Sequence, residues 1–248
     1  WYCWVFDLLG HWPIGQMLLD ETPWQVYDHV FAKNLDQLRE RRVPCSWLDQ
    51  ACPPWRAVDV GKMEYDVLMA GRWSQRRLDL VDACVADGLK VLVAGHGKEW
   101  CAGTGYKYMP AVWGDSVRSV FRAAKVAVGD NIWQRIPGYW SDRMWLEFAV
   151  ECVYVGPEMV GFDTSMWPTY YSQTFDSSLT ANEVSQRIRR VLHDSDLFGR
   201  CLVAQAELRR TNQYRHRVES ILGKLKEPAC VSDAATCTRG YAAAGIPV

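Results

Sequence analysis

The residues whose types and spacing best suit chemistry lie in the segment from Pro137 to Glu147. It reads Pro-Gly-Tyr-Trp-Ser-Asp-Arg-Met-Trp-Leu-Glu, a turn followed by the start of a helical segment. The N-terminus of a helix offers unpaired backbone N–H groups and a positive dipole end to anions. Arg143 adds a planar guanidinium that matches phosphate oxygens, and Glu147, one turn later on the same face, can accept hydrogen bonds from a sugar diol. The spacing therefore predicts a site for a phosphorylated ligand.

A purely structural interpretation of this segment has similar weight on spacing alone. Asp142 is also a suitable helix N-cap or first-turn acid. Arg143 and Glu147 stand four residues apart, as in an ordinary ion pair on a helix surface. The two interpretations differ in where they place the segment, because a ligand site must lie at the binding edge of a sheet.

Composition narrows the class of protein. The chain has 248 residues, of which 49% are hydrophobic and 23% charged, as in a soluble globular protein of one large or two small domains. The net charge of -1 gives no overall electrostatic footprint for nucleic acid or an anionic membrane. No charge-free segment of transmembrane length and no signal peptide are visible. The nine cysteines are odd in number and contain no C-x-x-C pair, which favours reduced, buried thiols in a cytoplasmic protein.

Strand and helix signals alternate along the chain. Strands are predicted over 1–6, 29–32, 45–48, 65–70, 90–94, 126–128 and 152–155, and helices over 75–87, 116–124, 141–150, 181–193 and 198–222. Such alternation is typical of an α/β fold whose parallel sheet is covered on both faces. Ligands then bind at the carboxyl ends of the strands, where loops follow at 71, 95–97, 129–139 and 157–161.

Several short motifs follow one another in a distinctive order. They are Val67-Leu68-Met69-Ala70-Gly71 with Arg76-Arg77-Leu78, then 91–95, 124–131, 137–143, Val155-Gly156-Pro157 with Gly161-Phe162, and Tyr214-Arg215-His216-Arg217-Val218. This order resembles the C-terminal half of GT-B glycosyltransferases, and in particular the spore-maturation CgeB-type branch and its phage relatives. The resemblance covers about 66–222 well and 1–55 more weakly. It implies a GT-B-like fold with a partial N-terminal acceptor-side domain (1–55), a Rossmann-like nucleotide-sugar-binding domain (56–225) and a C-terminal tail (226–248).

The resemblance implies an enzyme that transfers a sugar from a nucleotide-diphosphate donor, usually UDP-linked, to an acceptor. It also implies that no metal or other cofactor is needed, because a helix N-terminus and basic side chains take the diphosphate charge. The donor-binding residues that it implies, together with those suggested by the spacing, are Gly71, Arg72, Arg77, His96, Trp113, Tyr139, Ser141, Asp142 and Glu147.

Individual roles follow from the same comparison. Gly71 and Arg72 resemble the turn beneath the diphosphate, Trp113 lies where the base-binding loop is expected, and Glu147 resembles the ribose-binding acid. Among the candidate catalytic residues, Arg143 is expected to stabilise the leaving diphosphate.

Two further residues, Asp7 and His11, follow the first predicted strand and are candidate bases facing the acceptor. His96, between two glycines, suits a phosphate loop, although a turn histidine is as common. A structural role for Asp7 or His11 is the more frequent case for residues of these types.

Two alternatives stay open at the level of sequence. Phage relatives suggest an enzyme that glycosylates modified pyrimidines in DNA, with the arginines at 187, 189 and 190 as a possible nucleic-acid face, although the near-neutral charge does not favour it. A non-catalytic nucleotide-sugar-binding protein is suggested by Val150-Glu151-Cys152, which stands where relatives carry a glycine-rich patch. The sequence leaves the sugar, the acceptor, the stereochemical outcome and the oligomeric state open.

Overall fold

A computed structural model describes residues 2–5, 22, 24–27, 29–32, 35–48, 63–112, 116–129 and 143–226. Its strands are β1 (Tyr2–Val5), β2 (His29–Ala32), β3 (Cys45–Trp47), β4 (Tyr65–Ala70), β5 (Val91–Gly95), β6 (Lys107–Pro110), β7 (Ala124–Val128), β8 (Val153–Pro157) and β9 (Thr174–Phe175). Its α-helices are α1 (Asp36–Glu40), α2 (Gln75–Ala86), α3 (Ser116–Arg122), α4 (Arg143–Ala149), α5 (Tyr170–Gln173), α6 (Ala181–His193), α7 (Ser195–Thr211) and α8 (Tyr214–Lys226). Short 3₁₀ helices cover Trp24–Val26, Lys98–Ala102 and Thr164–Met166.

The strands form two parallel sheets. The smaller sheet has the order β1-β2-β3, and the larger one has six strands in the order β6-β5-β4-β7-β8-β9. Counted from β4, the larger sheet has the doubly wound order 3-2-1-4-5-6, which reverses direction between β4 and β7. The predicted α/β fold with a parallel sheet is confirmed, and the reversal point places the expected ligand crevice at the carboxyl ends of β4 and β7.

Burial on both faces explains why these strands read as continuous apolar runs. In β4, Val67 and Met69 pack into the core beneath α2 and α6, whereas Leu68 packs on the other face with Val120 and Phe121 of α3. All five residues of β5 are buried. A sheet covered by helices on both faces has no solvent-facing strand positions to fill with polar residues.

Local signals set the beginnings of the helices beside this sheet. Ser74 is extended and its Oγ accepts the N–H of Arg77 at 3.4 Å, which caps α2 directly after the β4 turn. Thr180 and Glu183 form a reciprocal capping box at the start of α6. None of the helices in the described ranges is long and apolar enough to span a bilayer.

A buried glutamine replaces a neighbouring strand at one edge of the large sheet. β9 pairs with β8 only at Gly156 and Pro157. Before that point, Gln205 of α7 donates from Nε2 to the Cys152 carbonyl at 2.9 Å and accepts the N–H of Tyr154 at 2.8 Å. The Gln205 amide therefore satisfies the backbone groups that a strand would otherwise pair with.

The loss of this amide is expected to destabilise the fold strongly. Gln205→Leu keeps the volume but leaves two buried backbone groups, and the Gln173 amide that donates to Gln205 at 2.6 Å, without a partner. At about 1–3 kcal/mol for each unsatisfied buried group, we expect a loss of about 3 kcal/mol in urea unfolding. The control Gln75→Leu removes an exposed glutamine bonded to Asp79 and is expected to change stability by less than about 0.5 kcal/mol. Equal losses in both variants would contradict the assignment.

Four cysteines lie free and buried in the separate cores. Cys45 packs in the core of the small sheet, Cys84 and Cys201 pack on one face of the large sheet, and Cys152 packs on the other. Burial raises the pKa of Cys84 and of Cys201 to about 11. Burial, with the nearby Glu147 charge, also raises the pKa of Cys152 well above its ordinary value.

The predicted helix over 198–222 is wrong as a single element. The chain instead forms α7 and α8, separated by Asn212 and Gln213. The side-chain amide of Asn212 donates to the Leu208 carbonyl at 3.0 Å and so satisfies an acceptor at the end of α7. Apolar periodicity continues across the break, which is why the pattern alone predicts one helix. The strands β6 and β9 and the helix α5 are not predicted, because they are short.

Candidate functional site

The candidate site lies at the carboxyl end of β4, beside the point where the strand order reverses. Gly71 follows β4 directly, with φ of 136°, a conformation that residues with a side chain rarely adopt. Its N–H donates to the Ala94 carbonyl of β5 at 2.8 Å. A Cβ added to Gly95 would lie 1.7 Å from the Gly71 carbonyl oxygen. Two glycines therefore allow the backbones to approach closely at the ligand edge.

Two arginine side chains converge on Gly71. A Cβ added to Gly71 would lie 2.5 Å from Nη1 of Arg143 and 2.8 Å from Nη1 of Arg77. The Arg143 guanidinium donates to the Ala70 carbonyl at the end of β4, and the Arg77 guanidinium donates to the Arg72 carbonyl. Backbone carbonyls thus hold two positive charges side by side, an arrangement that favours an anion bound between or next to them.

Different elements deliver these two arginines. Arg77 stands in the first turn of α2, just beyond the Ser74 cap, and is only 4% exposed. Arg143 begins α4, in the segment between β7 and β8, and is half-buried. Since β4 and β7 are neighbours in the sheet, the helices that follow them bring both side chains to one edge.

Glu147 is a buried acid one turn after Arg143. It is 2% exposed, and its Oε2 is buried without a hydrogen-bond partner. Burial raises the pKa of Glu147 well above its ordinary value, and the charge of Arg143 opposes that shift only in part. A buried carboxyl with a free acceptor is suited to a ligand that supplies donors, such as a sugar hydroxyl.

The predicted ion pair between Arg143 and Glu147 does not account for either side chain. Within the described ranges, the Arg143 guanidinium bonds the Ala70 carbonyl and acts on Glu147 only through its charge. The segment also lies at the ligand edge of the sheet, which is where the phosphate interpretation needs it. The observed contacts therefore favour the site interpretation over an ordinary surface pair.

The structure brings together Gly71, Arg77, Arg143 and Glu147 from the predicted set. The side chain of Arg72 is exposed, and only its carbonyl takes part, as the acceptor for Arg77. His96 follows β5 with an exposed side chain, and its carbonyl accepts the N–H of Trp73 at 2.8 Å. Six predicted residues lie outside the described residues: Asp7, His11, Trp113, Tyr139, Ser141 and Asp142.

Sequence reasoning missed the backbone and second-layer partners of this site. The Ala70 carbonyl that holds Arg143 has no side-chain signature. Glu151 adopts a positive φ of 59° directly after α4, and Arg122 contacts it at 3.2 Å. The one available signal was the Val150-Glu151-Cys152 sequence, because a residue in this backbone conformation is usually glycine.

Solved structures share this fold. TarM from S. aureus, in complex with fondaparinux, alpha-GlcNAc-glycerol and UDP, superposes with a TM-score of 0.65 and 12% identity over 91% of this chain and 50% of that chain. T4 phage BGT in complex with UDP-glucose gives a TM-score of 0.54 and 14% identity over 92% of this chain and 73% of that chain. Sucrose-phosphate synthase from Thermosynechococcus elongatus gives 0.59 and 13% over 91% and 67%. This chain thus spans half the length of the TarM chain.

Sequence comparison identifies the family independently of these superpositions. No curated protein sequence matches the chain significantly. The model of the Glycosyl transferase-like family matches residues 76–223, which is more than half of the chain and includes Arg77, Arg143 and Glu147. The chain therefore belongs to the Glycosyl transferase-like family.

Proposed function

We propose that this protein transfers a sugar from a nucleotide-diphosphate donor to an acceptor, with a UDP-sugar as the donor. One observation carries the proposal: the guanidinium groups of Arg77 and Arg143 converge on Gly71, at the reversal point of a doubly wound sheet. This is where a diphosphate is expected to bind in such a sheet. TarM with UDP and T4 phage BGT with UDP-glucose share the fold and support the choice of donor.

The proposed chemistry is electrostatic stabilisation of the departing diphosphate. As the bond between the sugar and the diphosphate breaks, negative charge grows on the leaving oxygens. Arg143 and Arg77 are fixed by backbone carbonyls before the donor arrives, so little reorganisation is needed. Glu147 then accepts hydrogen bonds from the ribose hydroxyls. Ser141 and the backbone N–H groups near it complete the proposed phosphate contacts.

We also propose that the reaction needs no metal ion. Two guanidinium groups supply positive charge where a cation would otherwise be required. Asp7 or His11 is the proposed base at the acceptor, and His96, Trp113, Tyr139 and Asp142 are proposed contacts to the donor. The motif order quoted above supports a place near the CgeB-type branch, and the buried thiols fit a cytoplasmic protein.

A donor-hydrolysis assay tests the proposal without knowledge of the acceptor. We expect the protein to release UDP slowly from UDP-glucose or a related UDP-sugar, with water as acceptor, and to keep that activity after treatment with EDTA. We also expect UDP to raise the melting temperature, because a ligand that binds only the folded state stabilises it. Complete loss of activity in EDTA, restored by a divalent cation, would contradict the metal-independent part. The absence of both UDP release and any thermal shift across a panel of nucleotide sugars would contradict the whole proposal.

A second candidate function is glycosylation of modified pyrimidines in DNA. T4 phage BGT, a DNA-modifying beta-glucosyltransferase, shares the fold and supports this possibility. The arginines of α6 support it less, because Arg187 donates to the Tyr171 carbonyl at 3.2 Å and Arg189 pairs with Asp87 at 3.7 Å. Retention on DNA that weakens steeply as salt rises would favour this candidate, and no retention at low salt would exclude it.

A further inference from the structure

The turn between α4 and β8 contains a strained residue whose hydrogen bonds lead back to Glu147. The Glu147 carbonyl accepts the N–H of Val150 at 3.2 Å and the N–H of Cys152 at 3.2 Å. The bond from Cys152 closes the six-residue ring of a Schellman motif, in which Glu151 occupies the left-handed position. Glycine is the usual residue there, yet Glu151 holds a φ of 59°.

A single guanidinium holds this strained turn. Nη1 of Arg122, the last residue of α3, donates to the Val150 carbonyl at 3.1 Å and lies 3.2 Å from Oε2 of Glu151. Both side chains are partly shielded from solvent, with 25% exposure for Arg122 and 43% for Glu151. Arg122 therefore contacts both the residue with the unfavourable φ and the residue before it.

We propose that Arg122 and Glu151 are positioning residues that keep Glu147 in place at the donor site. This inference rests on the proposed function, because it gives Glu147 the role of binding the donor. The physical argument is short. Without Arg122, the backbone at Glu151 can leave the left-handed region, and the Cys152 N–H then separates from the Glu147 carbonyl. The backbone of Glu147 lies at the other end of that bond, so its carboxyl shifts away from Arg143 and from the donor.

The decisive variants are Arg122→Met alone and Arg122→Met combined with Glu151→Gly. Methionine keeps the aliphatic stem but removes the guanidinium. Glycine adopts the left-handed conformation without strain, so the second substitution is expected to restore the turn. Arg210→Met is the matched control, since it removes an arginine from an exposed ion pair with Glu207 at 2.6 Å, on α7.

The first measurement is steady-state hydrolysis of UDP-glucose by each variant, well below its melting temperature. A displaced binding residue raises KM while kcat changes little, whereas partial unfolding lowers the apparent kcat and leaves KM unchanged. We expect Arg122→Met to raise KM about 10-fold, a ratio that corresponds to the usual penalty of a left-handed non-glycine residue. The double variant is expected to return to about the wild-type KM, and Arg210→Met is expected to keep it.

The second measurement is hydrogen exchange of the Cys152 amide, which needs no donor. We expect this amide to exchange about 10-fold faster in Arg122→Met than in the wild type and to recover protection in the double variant. An unchanged KM in Arg122→Met, or a raised KM that Glu151→Gly does not restore, would overturn the positioning role. If the wild type shows no response to UDP-glucose, the proposed function fails. The exchange comparison then still supports or overturns the hold of Arg122 on the turn.

Discussion

Arg143→Ala is expected to lower the rate of donor cleavage by about 100- to 1,000-fold, the usual loss when one preorganised charge stabiliser is removed. The guanidinium is held beside Gly71 by the Ala70 carbonyl, at the position where the sheet reverses its strand order. Its charge acts on the leaving diphosphate more strongly in the transition state than in the bound donor. The loss should therefore appear in kcat and in kcat/KM together.

The comparison variants for Arg143 separate charge, geometry and folding. Arg143→Lys keeps the charge but lacks the planar fork, so an intermediate loss of about 10-fold is expected. Arg190→Ala removes an exposed arginine of α6 and should leave cleavage unchanged. Circular dichroism and melting curves check that Arg143→Ala remains folded. Full donor cleavage by a folded Arg143→Ala protein would remove Arg143 from the proposed mechanism.

Glu147→Gln is expected to weaken donor binding while it makes the folded protein more stable. A buried carboxylate without a hydrogen-bond partner destabilises the folded state whenever it is ionised. The neutral amide removes that charge and retains the shape. We expect KM for the donor to rise about 10- to 100-fold, and the free energy of unfolding at pH 7 to increase by about 1–2 kcal/mol. A gain in stability with a loss of binding is typical of functional sites.

The pH dependence gives this prediction a definite sign. Burial raises the pKa of Glu147 in the folded protein, so the folded state binds the proton more tightly than the unfolded state does. The wild type therefore loses stability as pH rises above the unfolded pKa of about 4.3, until the folded pKa is passed. Glu147→Gln lacks this loss, so urea unfolding should show a small stability difference near pH 4 and a larger one at pH 7. A difference that stays constant across this range, or a less stable variant at pH 7, would contradict the assignment.

Local signals in the sequence were sufficient for much of the large sheet. The predicted strand over 65–70 and helix over 181–193 match β4 and α6, because apolar periodicity and the capping residues there agree with the fold. The parallel sheet then places the residue after each strand at one edge, which is why the sequence could associate Gly71 with Arg143. Their proximity follows from the order of elements and needs no knowledge of side-chain contacts.

The remaining features depend on contacts between distant residues. Arg77 reads as a charged first-turn residue of an exposed helix, and only the fold shows that it lies beside Arg143. Gln205 reads as a polar residue on a helix, although its amide completes the edge of β8. The division between α7 and α8 depends on the Asn212 amide rather than on a loss of periodicity. Each case is a polar side chain that bonds the backbone, which binary patterns of polar and apolar residues do not encode.

The four buried thiols give each part of the molecule a chemical reporter of its own opening. Only the thiolate reacts rapidly with alkylating reagents, and these groups are both shielded and, at Cys84, Cys152 and Cys201, disfavoured as thiolates. Peptide-resolved alkylation rates would therefore follow transient exposure of each core separately: Cys45 for the small sheet, and Cys84 and Cys152 for opposite faces of the large one. A donor that closes the crevice should slow labelling of Cys152 before that of Cys45, which would map the reach of ligand binding without any engineered probe.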